Sequence, residues 1–160
     1  MAPLPGLDID AARLRDIFEH SPWVAERALA LGPFADRAAL HAAMMRVVAE
    51  AGDNEILALL RAHPELAARE VPLTEASADE QTGAGLRALS PGEFARFAAL
   101  NEAYRTKFGF PFIICVKMHS KADILAAFAR RLENDEATER RQALAEIGHI
   151  TRLRLETLLP

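Results

Sequence analysis

The sequence predicts an all-α fold, a compact single-domain helical bundle of about eight helices with one extended apolar segment. Serine, threonine, aspartate and asparagine recur just ahead of runs whose apolar residues have helical spacing, which is typical of helix N-termini. Glycine and proline follow those runs and mark where helices end. Only the stretch FPFIICV has extended character, and a single extended segment does not form a sheet.

The helix boundaries follow in chain order from these start and stop signals. Ser21-Pro22 and Ser90-Pro91 each place a cap residue before a proline, the usual order at the first turn of a helix. Ser90 and Glu93 also have the spacing of a capping box. Helix ends are marked by Gly32-Pro33, Gly52, His63-Pro64 and Gly109. The predicted helices cover residues 8–19, 22–31, 37–51, 54–62, 77–88, 91–107, 121–133 and 136–158.

Length and composition indicate one globular domain, residues 1–160. A chain of 160 residues is long enough to bury a core, and 51% hydrophobic with 26% charged residues is ordinary for such a protein. The formal net charge of −4, without a basic patch, argues against nucleic acid and anionic membranes as partners. No run approaches the roughly 18 apolar residues that a membrane span needs.

The ends of the chain and its cysteine content predict a cytoplasmic protein. The stretch MAPLPGLDIDAARL has neither the charged nor the apolar region of a signal peptide, and the C-terminal ETLLP is not a peroxisomal address. Cys115 is the single cysteine, so neither an internal disulfide nor a multi-cysteine metal site is possible. Because Cys115 lies within FPFIICV, we expect a buried, inert thiol.

His63 is the first candidate for chemistry, because it ends a predicted helix and is followed at once by Pro64. Proline keeps the preceding residue out of the helical conformation, so the backbone of His63 should be extended. The helix face that leads to it carries Ile56, Leu59 and Leu60, which predicts an imidazole that points inward or into a cleft. An imidazole titrates near neutrality and suits proton transfer. The alternative is a histidine that closes a helix C-terminus, where a positive charge meets the dipole favourably.

The stretch SADEQTGAGL, residues 77–86, is the second candidate. Ser77 and Glu80 have the spacing of a capping box, which alone would explain both. The run of glycine, alanine and glycine at residues 83–85 then falls in or near the first turns of a helix, although glycine costs about 1 kcal/mol there relative to alanine. Small residues beside a carboxylate predict either a wall against which a ligand lies or a close helix crossing.

The last predicted helix carries the third candidate. At about 100° per residue, its apolar arc comprises Leu144, Ile147, Ile150, Thr151, Leu155 and Leu158. Arg154 falls within that arc, whereas Arg152 falls outside it or at its margin. A guanidinium on a buried face needs an anionic partner, because an unpaired buried charge is very costly. That partner is either a protein carboxylate or a substrate carboxylate, which arginine binds through two parallel hydrogen bonds.

The apolar stretch FGFPFIICVKMHS offers a different kind of site. Gly109 and Pro111 end the preceding helix, and the extended backbone beyond them can present N–H and C=O groups to a polar, amide-rich ligand. The other histidines lack metal-ligand spacing with any cysteine or acidic cluster, and the sequence has no G-x-S-x-G, P-loop or dinucleotide fingerprint. We therefore expect no metal site and no cofactor.

Five blocks of the sequence, taken in order, resemble the 2-oxo-4-hydroxy-4-carboxy-5-ureidoimidazoline (OHCU) decarboxylase family. They are HSPWVAERA, AHPELA, SADEQTGAGL, LNEAYRTKFGFPFIICVK and LRLETLL, and they span nearly the whole chain. The resemblance implies an all-helical, cofactor-independent enzyme that forms a homodimer. It further implies a small-molecule substrate, OHCU, which is converted to (S)-allantoin with release of CO2 in the last step from urate.

The resemblance also assigns roles to individual residues. It implies that His63 is the catalytic histidine, Glu80 the active-site glutamate and Arg154 the active-site arginine. Arg152 is the alternative to Arg154, and the apolar arc disfavours it. The residues implied to contact the substrate are Pro64, Ser77, Gln81 and, through the backbone, Phe112 and Ile113.

Residue chemistry allows a cofactor-free reaction of this kind. The departing carboxylate leaves an electron pair that a ring nitrogen of the substrate can accept, and a proton must then reach one face of C5. We expect His63 to act as general acid and base, Glu80 to orient the substrate and tune His63, and Arg154 to bind substrate oxygen. Two alternatives remain: a decarboxylase or lyase for another ureido or hydantoin acid, and a non-catalytic helical binding module.

Overall fold

The structure is a computed structural model that describes residues 9–68 and 72–160. These residues form eight α-helices and one 3-10 helix and contain no β-strand, which confirms the all-α prediction. The α-helices are α1 (Ala11–Leu14), α2 (Pro22–Leu29), α3 (Arg37–Ala49), α4 (Asp53–Ala62), α5 (Glu75–Gly83), α6 (Pro91–Phe108), α7 (Lys121–Arg131) and α8 (Glu136–Leu158). The 3-10 helix, Val116–Met118, lies between α6 and α7. None of the described helices combines the length and the apolar character that crossing a membrane requires.

The chain divides into two compact units. The terminal unit comprises Met1–Ala62 and Gly148–Pro160, and the central unit comprises His63–Ile147. Helix α8 contributes its first part to the central unit and its second part to the terminal unit.

Local capping explains where the helices of the terminal unit begin. Asp10 precedes α1 and accepts a hydrogen bond from the backbone N–H of Arg13, and Asp36 does the same for Ala39 ahead of α3. Such side chains satisfy donors that the first turn of a helix leaves without an intrahelical partner. Helix α2 packs against both α1 and α3. The fully buried residues of these three helices include Leu14, Val24, Ala28, Leu40 and Met44.

The first helix is much shorter than the prediction of residues 8–19, of which residue 8 lies outside the described range. Helix α1 ends at Leu14, and the N–H of Ile17 donates to the carbonyl of Leu14 in a tighter turn, at 3.1 Å. His20 has a φ of +46°, a left-handed conformation that is incompatible with a continuing helix. Leu14, Ile17 and Phe18 are all buried, so a series of turns buries the apolar residues whose spacing had suggested a longer helix.

Helix α6 organises the central unit, and its boundaries match the sequence signals. Ser90 and Glu93 form the predicted capping box, with Pro91 in the first turn. Gly109 ends the helix in the left-handed conformation, with a φ of +77°, which glycine adopts without steric cost. Helix α6 packs against α7.

An aromatic cluster forms the core of the central unit around the buried Tyr104 of α6. The rings of Phe110, Phe112 and Phe128 meet Tyr104 at steep angles, with centroid distances of 5.9, 5.4 and 5.9 Å. Phe112 and Phe128 stack on each other, with centroids 3.9 Å apart and planes 7° apart. Because edge and stacked contacts both fit the ring quadrupole, the cluster fixes the segment that follows α6 against α6 and α7.

Candidate active site

His63 is the first residue after α4, and its side chain is buried, with 7% of the residue exposed. The prediction of an inward imidazole is therefore confirmed. Pro64 follows it, and the loop that they begin is held by side chains of the central unit. Gln81 accepts a hydrogen bond from the N–H of Ala67 at 3.0 Å, and Asn101 donates to the carbonyl of Leu66 at 2.8 Å. Both contacts are buried, so the loop that carries His63 has a defined conformation.

Helix α5 begins two residues earlier than predicted, which changes how Ser77 and Glu80 are interpreted. Its N-cap is Thr74, whose hydroxyl accepts from the N–H of Ser77. The capping box predicted for Ser77 and Glu80 is therefore wrong, since both residues lie inside the helix. Ser77 and Gln81, one turn apart, are buried, and Glu80 is half-buried. Since they do not form a capping box, Ser77 and Glu80 stay candidates for contacts with a ligand.

The small residues at positions 83–85 end α5 and do not begin a helix, so the predicted placement of these glycines was wrong. Helix α5 stops at Gly83, and Gly85 has a φ of +78°, which favours glycine. Among the described residues, apart from the adjacent residues and the helix's own backbone, no atom lies within 4 Å of a Cβ built at Gly83 or at Gly85. A close helix crossing at these positions is thereby excluded within the described part of the chain.

The segment after α6 is extended and buried, as predicted. Phe112, Ile113 and Ile114 are 1%, 3% and 4% exposed, and the 3-10 helix begins at Val116. Within the described ranges, the backbone N–H groups of Phe112, Ile113 and Ile114 have no hydrogen-bond acceptor. Buried N–H groups are nearly always paired in proteins, so these donors are candidates for hydrogen bonds to a ligand or to water.

Helix α5 lies close to this segment. It packs against the 3-10 helix, and the carboxylate of Glu80 is near enough to Cys115 to affect its ionisation. Burial raises the pKa of the Cys115 thiol, and the charges of Glu146 and Glu80 raise it further. Cys115 is thus buried and protonated at neutral pH, in agreement with the predicted inert thiol.

The central unit therefore contains seven of the predicted site residues on three connected pieces of chain. These residues are His63, Pro64, Ser77, Glu80, Gln81 with its hydrogen bond to the histidine loop, and, on the apolar segment, Phe112 and Ile113. A hydrogen bond joins the histidine loop to α5, and packing joins α5 to the 3-10 helix that follows the apolar segment. This arrangement supplies a proton-transfer group, a carboxylate and backbone donors.

Arg154 belongs to the terminal unit, where it is buried as its position in the apolar arc predicted. Its Nη2 donates to Oε1 of Glu19 at 2.7 Å, and its Nη1 donates to the carbonyl of Ile17 at 3.2 Å. The anionic partner is thus a protein carboxylate. Arg152, by contrast, is exposed and pairs with Glu156 one turn along α8 at 3.1 Å.

Sequence reasoning missed Glu19, which is 2% exposed, and a second buried arginine, Arg131. Glu19 lies in the irregular stretch that was predicted as helix, so no periodicity marked it. Arg131 lies in the last turn of α7, where a basic residue normally complements the helix dipole at the surface. Neither ion pair has a signal in the sequence, because the two partners of each pair come from different helices or turns. The described residues also contain no group of three or more histidine, cysteine or acidic side chains that would hold a metal ion.

The fold and these groups define a class: a small all-helical protein with a buried imidazole, a carboxylate-bearing helix and backbone donors suited to an amide-rich ligand. The family model described as OHCU decarboxylase matches residues 9–156. The chain belongs to the OHCU decarboxylase family.

Individual relatives agree in sequence and in fold. The 2-oxo-4-hydroxy-4-carboxy-5-ureidoimidazoline decarboxylase of Haloferax volcanii is 47% identical over 140 residues, 88% of this chain and 83% of that protein. A crystal structure of (S)-allantoin synthase matches with a TM-score of 0.75 and 32% identity, over 92% of this chain and 49% of that one. A crystal structure of OHCU decarboxylase in the presence of (S)-allantoin also has a TM-score of 0.75, with 25% identity over 91% of this chain and 96% of that one.

Proposed function

We propose that this chain is a cofactor-independent decarboxylase that converts OHCU to (S)-allantoin and CO2 in urate catabolism. Membership of the OHCU decarboxylase family carries the proposal, and the family match spans both units. Contacts in the central unit support it further, because a hydrogen bond joins the loop after His63 to α5, which carries Glu80, and α5 packs against the 3-10 helix that follows the backbone donors. We include residues 1–160 as one functional domain.

The electrons of the broken bond stay within the substrate ring. As the C4–CO2 bond breaks, its electron pair forms a C4–C5 double bond, and the electrons of the C5–N double bond move to the ring nitrogen, which takes a proton. The C4 hydroxyl then loses its proton while C5 gains one, which produces a C4 carbonyl and a stereocentre at C5. The protein therefore needs an acid-base group and a fixed orientation of the ring.

His63 is the acid-base group in this proposal. It takes the proton of the C4 hydroxyl, and its position on a loop held by Gln81 and Asn101 fixes where the imidazole lies. Glu80 orients the hydroxyl or the ureido group and favours the charged imidazole through its own negative charge. Ser77 and Gln81 lie on α5, the helix that also carries Glu80, and contact the substrate in this proposal. Pro64 restricts the backbone conformation of His63.

The apolar segment binds the amide groups of the substrate. The backbone around Phe112 and Ile113 contacts the ring and the ureido group, and N–H groups that lack a protein acceptor in the described segment donate to carbonyl oxygens of the substrate. Arg154 binds substrate oxygen, and Glu19 holds its guanidinium in place. A guanidinium has five N–H donors, so one ion pair does not exhaust its capacity.

The deciding experiment generates OHCU in situ from urate and follows circular dichroism. We expect the wild-type chain to produce an optically active allantoin signal much faster than spontaneous decay, which yields a racemate. His63→Ala should lower kcat by roughly 10²–10⁴-fold, the usual contribution of an acid-base group, and should affect binding of (S)-allantoin less. A wild-type trace equal to spontaneous decay would refute the proposed function, and near-normal turnover of His63→Ala would remove His63 from this role.

The ion pair of Arg154 favours one rival. A non-catalytic helical module would pair this arginine internally, as the contact with Glu19 does. The same experiment separates the two, because a binding module leaves the dichroism trace unaltered. A chain that accelerates decay of a different ureido or hydantoin acid, but not of OHCU, would identify the remaining alternative.

The assembly and location of the enzyme are part of the proposal. The family resemblance implies a homodimer, which sedimentation at micromolar concentration tests directly: a monomeric mass would refute it. A protonated, buried Cys115 fits a reducing cytoplasm, and cell fractionation would test that location.

A further inference from the structure

A buried cluster of polar side chains contacts the apolar segment of the central unit at Phe112 and Ile113. Arg131 of α7 is 3% exposed, and Glu139 of α8 is fully buried. The Nε of Arg131 donates to Oε1 of Glu139 at 2.5 Å, and the hydroxyl of Tyr104 donates to the same oxygen at 2.8 Å. Asn134 donates to the other carboxylate oxygen at 3.1 Å. This set of contacts fixes the guanidinium of Arg131 in one orientation.

Arg131 makes two further contacts, and both reach the segment that binds substrate in the proposed function. Its Nη1 donates to the backbone carbonyl of Ile113 at 2.6 Å. Its Cζ lies over the ring of Phe112, 4.4 Å from the centroid, while Phe128 stacks on that ring at 3.9 Å. The guanidinium and Phe128 must occupy opposite faces of the ring, because both distances are too short to share one face. Phe112 and Ile113 are thus held from the side of Arg131.

The contact with Ile113 determines the direction of the next amide. The peptide bond between Ile113 and Ile114 is trans, so the carbonyl of Ile113 and the N–H of Ile114 point in opposite directions. With the carbonyl directed at Arg131, the N–H of Ile114 points away from the cluster. That N–H has no acceptor within the described residues.

We propose that Arg131 is a positioning residue that turns the 113–114 peptide so that Ile114 N–H donates to a carbonyl oxygen of the substrate. This inference rests on the proposed function, and it adds a specificity determinant to it. Since the carbonyl of Ile113 is occupied, this peptide offers the ligand a donor and no acceptor. The site therefore selects a ligand that presents an acceptor oxygen here, as a ring or ureido carbonyl does.

The first test compares two buried positions of α7. Arg131→Lys keeps the charge, but a single ammonium nitrogen cannot reach both Glu139 and the carbonyl of Ile113 as the guanidinium does. We expect the KM for OHCU to rise about tenfold, with kcat changed by less than about threefold, because a ground-state hydrogen bond is lost. Ile124→Ala, at a fully buried position of the same helix, should lower the melting temperature without changing KM.

A KM of Arg131→Lys equal to that of the wild type would overturn the inference and leave the proposed function standing. If the wild-type chain itself has no decarboxylase activity, both the proposed function and this inference fail. A rise in KM for Ile124→Ala as large as for Arg131→Lys would also overturn it, because loss of stability alone would then explain the effect.

The second test needs no variant, so it holds even if Arg131→Lys does not fold. The amide resonance of Ile114 in the wild-type chain is followed by NMR while (S)-allantoin is added. We expect a large saturable shift for Ile114 and little change for the amide of Glu93 at the start of α6, which already donates to Ser90. An unaltered Ile114 amide at a saturating concentration of (S)-allantoin would overturn the inference.

Discussion

Each of the two units contains a buried arginine–glutamate pair, and the two pairs are set in different surroundings. Arg131 and Glu139 come from two helices of the central unit, 2.5 Å apart, and Glu139 also accepts from Tyr104 and Asn134. Arg154 and Glu19 are 2.7 Å apart in the terminal unit, and Glu19 lies in an irregular turn. The chain at that turn is left-handed at His20, with a φ of +46°.

The difference in surroundings indicates that the two arginine–glutamate pairs have different roles. Arg131 reaches the apolar segment and keeps its carbonyl in one direction, from within a network of helix-borne groups. The carboxylate that pairs with Arg154 lies on a turn whose next residue, His20, has a left-handed backbone conformation. Such strained conformations concentrate at functional sites. In the proposed function the first arginine arranges backbone donors, and the second touches the substrate. Variants of the four residues test this division of roles.

The largest effect on stability is expected from breaking the central pair. Glu139→Ala leaves the guanidinium of Arg131 buried without its carboxylate, which costs about 3–5 kcal/mol. Urea unfolding followed by far-UV circular dichroism measures the loss. The double variant Arg131→Met with Glu139→Leu removes both charges and should recover much of the stability, since apolar replacements of a buried pair are often neutral. A single variant within about 0.5 kcal/mol of the wild type would contradict this account of the pair.

A smaller loss of stability, but a clear kinetic effect, is expected for the terminal pair. Glu19→Gln removes the negative charge but keeps the shape and an acceptor oxygen for Arg154. The free energy of unfolding should therefore fall by only about 1–3 kcal/mol. If Glu19 holds Arg154 against the substrate, the KM for OHCU should rise at least tenfold, measured by the dichroism assay. Arg152→Gln, on the exposed face of α8, serves as the control and should change neither quantity. An unchanged KM in Glu19→Gln would show that the pair of Arg154 and Glu19 has only a structural role.

These pairs also show what the sequence predicts and what it does not. The capping signals at Ser90 and Gly109 predicted the ends of α6, because they act within one turn of the chain. The apolar arc of α8 separated Arg154 from Arg152, because burial follows helical period. Periodicity failed at residues 15–20, where buried apolar residues lie on turns. The capping-box spacing of Ser77 and Glu80 was also misleading, because Thr74 provides an earlier cap of the same chemistry.

The partners of the buried arginines were beyond sequence reasoning for a physical reason. Glu19 and Arg154 are 135 residues apart, and the contact depends on how the chain folds over that distance. Arg131 and Glu139 are only eight residues apart, but a turn between α7 and α8 brings them together. Site residues assigned through the family resemblance stay predictions until the kinetic tests are made.

The smallest effect is expected from an exposed ion pair of the central unit. Glu93 caps α6 and lies 2.9 Å from the ammonium of Lys121. The hydrogen bond from Lys121, followed by that from the backbone of Ser90, lowers the pKa of Glu93 from 4.5 to about 2. The folded state therefore binds a proton less readily than the unfolded state, and the stabilisation is present above pH 4.5. It is lost as the pH falls from 4.5 towards 2.

Glu93→Gln removes this titration, so the variant should be slightly less stable than the wild type at pH 7 and equal to it near pH 2. Urea midpoints measured at intervals between pH 7 and pH 2 give the comparison. Because both side chains are about one-third exposed, 1 M salt should shrink the difference at pH 7, whereas it should leave the loss in Glu139→Ala almost unchanged. A pH-independent difference between wild type and Glu93→Gln would show that the carboxyl group acts here through its shape and not through its charge.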